Sequence, residues 1–173
     1  MQTSLFPTER PEPSGLAYLP DFIDRAEEAL LLRTIDSQPW LSTLKRRVQH
    51  YGYAYDYSAK EITRALYLGP LPDWLSASAA AVHRKGLFAQ MPDQVIVNEY
   101  RPGQGIAPHI DRAPCFAETV ASLSLGSPCV MDFAHGETAQ TTSMLLEPCS
   151  LAGRGCAMGG PAPPSAWLRL LPE

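Results

Sequence analysis

Short apolar runs separated by turn residues fill the later part of the chain and constrain its fold more than any other feature. The runs with strand character cover residues 94–100, 106–111, 119–125, 130–133 and 143–146. Strands this short, with turn signals between them, are typical of sandwiches, barrels and jelly rolls. The pattern therefore predicts a β core between residues 94 and 146.

Two predicted helices precede this β core. In residues 21–38, Asp24 and Glu27 have the spacing of a capping box at a helix start. Residues 73–85 are rich in alanine and are followed by Gly86, a residue type that commonly ends helices. Helices that come before the strands indicate an α+β fold, with the helices packed on one face of the β core.

The predicted domain organisation follows from local composition. The length of 173 residues is enough for one domain with a substantial core. Residues 1–20 are rich in proline and polar residues, which predicts an extended N-terminal arm, and residues 21–150 form the domain. Residues 151–173 are dense in glycine, proline and alanine without a period of two, so we expect an atypical tail there.

Charge and cysteine usage limit the class of protein. The formal net charge of −4 gives no overall basic surface for nucleic acid, although a local basic face remains compatible with it. No apolar run is long enough to span a bilayer, and residues 1–13 lack the pattern of a secretory signal. The four cysteines form no C-x-x-C pair. We therefore expect a cytoplasmic monomer with no membrane contact.

The segment NEYRPGQGIAPHID at 98–111 carries the strongest chemical signal. His109 and Asp111 are two positions apart, so in an extended segment their side chains point to the same face. An imidazole and a carboxylate placed in this way supply two of the three ligands of the facial triad that holds non-haem Fe(II). The spacing therefore predicts a metal site at His109 and Asp111.

Asn98 and Tyr100 share one face of the predicted strand 94–100, because side chains alternate along a strand. An asparagine in an otherwise apolar strand needs a hydrogen-bond partner, since an unpaired buried amide is costly. That partner is either a bound ligand or the protein backbone.

Tyrosines occupy every second position near the end of the segment 44–57, at Tyr51, Tyr53, Tyr55 and Tyr57. This period of two predicts a strand or hairpin with the four rings on one face. The rings either stack on a nucleobase or pack against the first helix.

Residues 44–151 resemble the AlkB-like family of Fe(II)- and 2-oxoglutarate-dependent dioxygenases. The resemblance is carried by PDQVIVNEYRPGQGIAPHID at 92–111 and TVASLSLGSPCVMDF at 119–133. LLEPCSL at 145–151 resembles the family's strand before its distal motif, and RRVQHYGYAYDY at 46–57 is similar to its substrate-proximal segment. The resemblance implies a double-stranded β-helix, which is a variant of the jelly roll, with iron at one open end.

The resemblance also implies cofactors, a partner and an activity. His109 and Asp111 would bind Fe(II), and Asn98 and Tyr100 would hydrogen-bond the cosubstrate 2-oxoglutarate. The implied reaction is oxidative demethylation of alkylated nucleobases in DNA or RNA, as in DNA repair, with alkylated nucleic acid as the partner.

The substrate-proximal segment contains further candidates. Tyr51 and Tyr53 are the tyrosines that we expect to face a substrate, because they fall nearest to the family-like motif. Arg46 and Arg47 are candidates for phosphate contacts, and at least one of them is expected to be a solvated basic residue instead. His50 either faces the substrate or is a structural histidine with its own partner.

The resemblance ends at Leu151. The family completes its iron site with a second histidine on a later strand and binds 2-oxoglutarate with a following arginine, but this chain has no histidine after His135. One alternative is therefore a catalytically impaired or non-catalytic AlkB-like domain that has lost its third iron ligand. Another is a dioxygenase that acts on a protein or small molecule, which the acidic balance permits. A shifted reading frame after Leu151 is a hypothesis that the other frames of the genomic sequence would test.

Overall fold

The computed structural model describes residues 15–42, 44–59, 62–107, 120–134 and 141–153. The helices are α1 (Arg25–Asp36) and α2 (Asp73–Arg84), with a short 3-10 turn at Arg64–Leu66 between them. The strands are β1 (Ala17–Leu19), β2 (Arg47–Tyr51), β3 (Val95–Glu99), β4 (Ala121–Leu123), β5 (Cys129–Ala134), β6 (Thr141–Leu146) and β7 (Leu151–Gly153).

Both predicted helices are confirmed. The Asp24 carboxylate accepts hydrogen bonds from the backbone N–H groups of Ala26 and Glu27 at 2.8 Å, and the Glu27 carboxylate accepts one from Asp24 N–H at 3.0 Å. This capping box satisfies donors that the first turn of α1 leaves unpaired. After α2, Gly86 has a φ of +75°, the left-handed conformation that commonly ends helices.

The strands form three small antiparallel sheets, in the orders β1-β7-β4, β2-β3 and β5-β6. The predicted strands at 94–100, 130–133 and 143–146 are present as β3, β5 and β6, and part of 119–125 is present as β4. Within the described ranges these strands do not close into a barrel. The fold is therefore α+β and built on antiparallel pairs.

Strands lie beyond both predicted boundaries of the domain. β1 lies inside the segment predicted to be an extended arm, and β7 lies inside the predicted atypical tail. β7 is the central strand of its sheet, because Leu151 pairs with Leu19 on one side and with Leu123 on the other. Leu151 is 1% exposed, so the core continues past residue 150. Strands of three residues are too short for a period of two to show in the sequence.

The helices pack on one face of the β1-β7-β4 and β2-β3 sheets, as the sequence predicts for an α+β fold. The main apolar cluster combines side chains from α1, α2, β3, β4 and β7, among them Ile35, Val82, Val97, Leu123 and Leu151. On the other face of β7, Ala152 belongs to a second cluster with Met131 and Leu146. Successive residues of β7 thus bury their side chains in different clusters, since side chains alternate across a strand.

Neither α1 nor α2 is long and apolar enough to cross a membrane, and the other described segments contain no such helix. The cytoplasmic location and the monomeric state stay predictions.

Candidate cosubstrate site

The β2-β3 pair has two chemically different faces. Val48 lies opposite Asn98 and His50 lies opposite Ile96 in the antiparallel register, so these four side chains share one face. Tyr100 continues the same alternation just after β3. We call this face, which carries Val48, His50, Ile96, Asn98 and Tyr100, the polar face. The residues that alternate with these along the two strands face the helices.

Tyr51 lies on the helix side, away from Asn98. Its ring meets the Trp74 ring of α2 edge-on, with 5.2 Å between the ring centroids. Its hydroxyl donates to Gln49 Oε1 at 2.9 Å, and Gln49 Nε2 in turn donates to the Ile35 carbonyl of α1 at 2.9 Å. Burial raises the pKa of Tyr51. The sequence left open packing against the first helix as an alternative to substrate stacking. The ring packs on α2 instead, and only its hydroxyl is linked to α1, through Gln49.

The predicted tyrosine face is wrong, because the strand ends at Tyr51. Gly52 follows with a φ of +78°, which turns the chain out of the β conformation. Beyond this turn, Tyr53 forms a bridge with Tyr67, and their ring centroids are 5.0 Å apart. Tyr57 instead meets the His50 ring on the polar face.

The two adjacent arginines at the start of β2 have separate roles. Arg47 forms an ion pair with Glu99 on the paired strand, and its guanidinium carbon lies 4.6 Å from the centroid of the Trp40 ring. Arg46 Nε donates to Asn98 Oδ1 at 2.7 Å on the polar face. Both arginines are therefore engaged within the protein.

Asn98 and Tyr100 are both buried and adjacent on the polar face, with exposed fractions of 7% and 3%. The guanidinium carbon of Arg46 lies 5.7 Å from the Tyr100 ring centroid and 5.7 Å from that of Tyr57. The sequence left the partner of Asn98 open between a ligand and the backbone. A side-chain partner from the segment just before β2 was missed, because residues 46 and 98 are far apart in the chain.

His50 and Tyr57 add polar atoms to this face. Their ring centroids are 5.6 Å apart in an edge-on arrangement. His50 Nδ1 and the Tyr57 hydroxyl are buried and have no hydrogen-bond partner in the described structure. Burial, and secondarily the positive charge of Arg46, lowers the pKa of His50, while burial raises the pKa of Tyr57. Both side chains are therefore mainly neutral at pH 7. Tyr57 was not singled out from the sequence, although it lies in the substrate-proximal segment.

The turn after β3 is fastened to the segment that precedes β2. Gln104 Nε2 donates to the Lys45 carbonyl at 3.1 Å, and Gln104 Oε1 accepts from Arg101 N–H at 2.8 Å. Gly103, with a φ of +79°, supplies the left-handed conformation in this turn. This turn therefore lies next to Lys45, the residue before Arg46.

The predicted iron ligands His109 and Asp111 lie outside the described residues. Across residues 15–42, 44–59, 62–107, 120–134 and 141–153, no three histidine, cysteine or acidic side chains form a group that suits a metal ion. The iron site at His109 and Asp111 stays a prediction.

The polar face fits 2-oxoglutarate in its donor chemistry. An asparagine amide and a tyrosine hydroxyl both supply hydrogen-bond donors, whereas the cosubstrate presents carboxylate and keto oxygens as acceptors. Asn98 and Tyr100 are the residues that would hold it, and the positive charge of Arg46 next to Asn98 favours an anion.

The protonation of His50 predicts a pH dependence of stability. Because the folded pKa lies below the unfolded value of 6.5, the unfolded chain binds the proton more readily below pH 6.5. The free energy of unfolding should therefore be greatest above pH 6.5 and decrease as the pH falls from there toward the folded pKa. Urea unfolding at pH 7.5 and 5.5 measures this decrease. The decrease in the free energy of unfolding should be smaller in His50→Phe, because phenylalanine does not titrate.

Tyr57→Phe is the matched control for this prediction, because it keeps the ring beside His50 and removes only the hydroxyl. It should retain the decrease of the wild-type protein. Equal pH dependence in His50→Phe and the wild type would contradict the prediction.

Comparison with known proteins places the chain in a family. The family model for the 2OG-Fe(II) oxygenase superfamily matches residues 15–163. The "Alkylated DNA repair protein ALKBH8 homolog" of Arabidopsis thaliana is 40% identical over 124 residues, covering 69% of this chain and 36% of that protein. The "Probable RNA/DNA demethylase ALKBH6" of Danio rerio is 35% identical over 125 residues, covering 70% of this chain and 50% of that protein. The chain thus spans between about a third and a half of these two relatives.

The likeness extends to a tRNA-modifying protein and to a solved structure. The "tRNA (carboxymethyluridine(34)-5-O)-methyltransferase alkbh8" of Xenopus tropicalis is 38% identical over 128 residues, covering 71% of this chain and 20% of that protein. The solved structure of OsALKBH1 matches with a TM-score of 0.57 at 14% identity, covering 83% of this chain and 81% of that one, which shows a shared fold. The chain belongs to the 2OG-Fe(II) oxygenase superfamily and is an AlkB-like member of it.

Proposed function

We propose that the chain is a dioxygenase that uses Fe(II) and 2-oxoglutarate to demethylate alkylated nucleobases in RNA or DNA. The observation that carries the proposal is the buried pair of Asn98 and Tyr100 on the polar face, with Arg46 bonded to Asn98. Relatives described as an alkylated DNA repair protein and as a probable RNA/DNA demethylase support the substrate class. We further propose that the strands complete a double-stranded β-helix and that the protein acts in the cytoplasm.

Each residue of the proposed site has a defined task. Asn98 and Tyr100 donate hydrogen bonds to the cosubstrate, and His109 and Asp111 hold the iron. When bound, iron and 2-oxoglutarate supply the oxidation of a substrate methyl group with dioxygen, which yields formaldehyde, succinate and carbon dioxide. The protein orients the reactants and keeps water away from them.

The edge of the site suits an uncharged, polar ring. The unpaired Nδ1 of His50 and hydroxyl of Tyr57 are hydrogen-bonding groups of the kind that read the edge of a nucleobase taken out of its stack. Arg46 and Arg47 are already engaged inside the protein, so neither is a strong candidate for a phosphate contact. Phosphates would therefore be contacted by other residues of the chain.

A non-catalytic AlkB-like domain is the second candidate. It is favoured by the sequence after Leu151, which contains no histidine to act as the third iron ligand. Two protein ligands bind Fe(II) more weakly than three, so such a domain would bind metal weakly and release little or no succinate.

Binding of metal and cosubstrate is the first test of the proposal. The melting temperature should rise when Mn(II) and 2-oxoglutarate are added together, because ligands of the native state stabilise it. Mn(II) is used in place of Fe(II) so that no turnover occurs. Asp111→Ala should abolish this joint effect. No rise in the wild-type protein at millimolar ligand would contradict the proposal.

Product release is the second test and separates the substrate classes. With Fe(II), 2-oxoglutarate and dioxygen, the protein should release formaldehyde from a methylated oligonucleotide and none from the unmethylated one. Ligand binding without succinate or formaldehyde would favour the non-catalytic domain. Formaldehyde from a methylated peptide, but from neither DNA nor RNA, would favour a protein substrate.

A further inference from the structure

Arg46 contacts both Asn98, on the cosubstrate side of the candidate site, and Tyr57, in the substrate-proximal segment. These contacts point to a role that the sequence alone did not indicate. We propose that Arg46 is a positioning residue, which orients the side-chain amide of Asn98 so that Nδ2, and not Oδ1, is presented to 2-oxoglutarate. This inference rests on the proposed function, because it concerns the same cosubstrate.

The orientation of the amide follows from the donor inventory of the two side chains. A guanidinium has N–H donors and no acceptor, so the Asn98 atom 2.7 Å from Arg46 Nε is the carbonyl oxygen Oδ1. The Nδ2 donors of Asn98 are consequently directed away from Arg46. In the flipped amide, two donors would face each other and the bond would be lost.

An amide with this orientation suits the proposed ligand. All polar atoms of 2-oxoglutarate are acceptors at neutral pH, so Asn98 must present Nδ2 to bind it. If the amide flipped, Oδ1 would face the carboxylate or keto oxygens, and two acceptors would meet without a proton. By fixing the amide beforehand, Arg46 lowers the cost of ordering it on binding.

Arg46 is itself held in place. It precedes β2 and lies diagonally across the pair from Asn98, because Val48 is the residue directly opposite Asn98. Its guanidinium carbon lies 5.7 Å from the ring centroids of both Tyr57 and Tyr100, within the range of cation–π attraction. Tyr57 belongs to the substrate-proximal segment, and Tyr100 is the residue that binds the cosubstrate together with Asn98 in the proposed function.

The test compares two adjacent arginines by calorimetric titration of 2-oxoglutarate in the presence of Mn(II), which needs no turnover. Arg46→Met removes the donors and keeps most of the side-chain length. It should raise the Kd for 2-oxoglutarate about tenfold or more, as expected for a charge-assisted hydrogen bond. Arg47→Met is the matched control on the opposite face, and it should change the Kd by less than about twofold. Circular dichroism verifies that each variant is folded.

A double-mutant cycle separates positioning from direct action. If Arg46 acts through Asn98, Arg46→Met should have little further effect on the Kd in an Asn98→Ala background. The same tenfold effect in that background would mean that the charge of Arg46 acts on the ligand directly, which would overturn the inference. So would an unchanged Kd in the single Arg46→Met variant.

Two further results complete the design. If Arg46→Met does not fold, Arg46→Leu replaces it, since leucine also lacks a donor for Oδ1. A raised Kd in Arg46→Leu supports the inference, and an unchanged one overturns it. Failure of the wild-type protein itself to bind 2-oxoglutarate would reject the proposed function and, with it, the inference.

Discussion

Replacing Gly52 with alanine should reduce the free energy of unfolding by about 2–5 kcal/mol, which combines overpacking with a left-handed backbone. A Cβ atom at this position would lie 1.8 Å from the Asp93 carbonyl oxygen. No real Cβ tolerates that distance, and the obstacle is backbone rather than a flexible side chain. The φ of +78° adds strain for any residue with a Cβ atom.

The clash acts on the candidate site as well as on stability. Gly52 follows β2 directly, and Asp93 lies two residues before β3. To accept a methyl group, the two segments must separate at the end of the β2-β3 pair opposite to Arg46 and Asn98, which disturbs the pair that positions both residues. We therefore expect Gly52→Ala to weaken 2-oxoglutarate binding in whatever fraction of the protein still folds.

Gly86→Ala is the matched control for the steric effect. Gly86 has nearly the same φ, +75°, but a Cβ atom there would meet nothing within 4 Å. Only the backbone strain applies, so the expected cost is about 1–2 kcal/mol. Urea unfolding of both variants measures the difference. Equal costs at the two positions would show that β2 and the segment around Asp93 separate freely, contrary to the prediction.

The parts of the fold that the sequence predicted correctly are those with strong local signals. The capping box of Asp24 and Glu27 is formed by residues three apart, and α1 begins where their spacing places it. β3 was predicted within one residue at each end, because its apolar residues 95–97 are followed by only two polar residues, Asn98 and Glu99, before Tyr100. The same asparagine identified the polar face, since a buried amide requires a partner.

The parts that the sequence missed depend on contacts between distant residues. β1 and β7 are short and exist because they pair with each other, and because β7 also pairs with β4, which no local period reveals. The Arg46–Asn98 bond joins residues 52 positions apart. The tyrosine pattern was misread for a different reason. Its period of two continues past Gly52, and a glycine inside a strand pattern often marks a break or a close backbone approach.

Glu28 is a buried carboxylate in α1 that connects the helix to the β core. Only 6% of the residue is exposed. Its Oε1 accepts from Gly126 N–H at 2.9 Å, and its Oε2 accepts from Arg25 Nη1 at 2.8 Å. Cys149 lies close enough to interact with the same carboxylate, and burial, followed by this interaction, raises the pKa of the Cys149 thiol to about 11. The thiol therefore stays protonated and can donate to Glu28.

Glu28→Ala should reduce the free energy of unfolding by about 2–3 kcal/mol, the typical loss when a hydrogen bond to a charged group is removed and its partner stays unpaired. The Gly126 N–H and the Cys149 thiol would both lose their acceptor. Chemical denaturation at pH 7 measures this loss. Glu27→Ala is the matched control, because its exposed carboxylate only completes the capping box, and it should cost less than about 1 kcal/mol.

The contribution of Glu28 to the free energy of unfolding should also depend on pH, and the environment of its carboxylate determines the direction. Burial alone raises the pKa of Glu28, but hydrogen bonds from Arg25, Gly126 and Cys149 outweigh it, and the pKa ends below the usual 4.5. A carboxylate with a lowered folded pKa stabilises the protein above the unfolded value, and this stability is lost as the pH falls through the folded pKa. The wild type should therefore be more stable than Glu28→Gln at pH 7, and the difference should shrink below pH 4.5. A difference that stays constant from pH 7 to pH 3 would mean that the glutamine variant loses packing or geometry, and that the negative charge of Glu28 is not what holds α1 to the Gly126 turn.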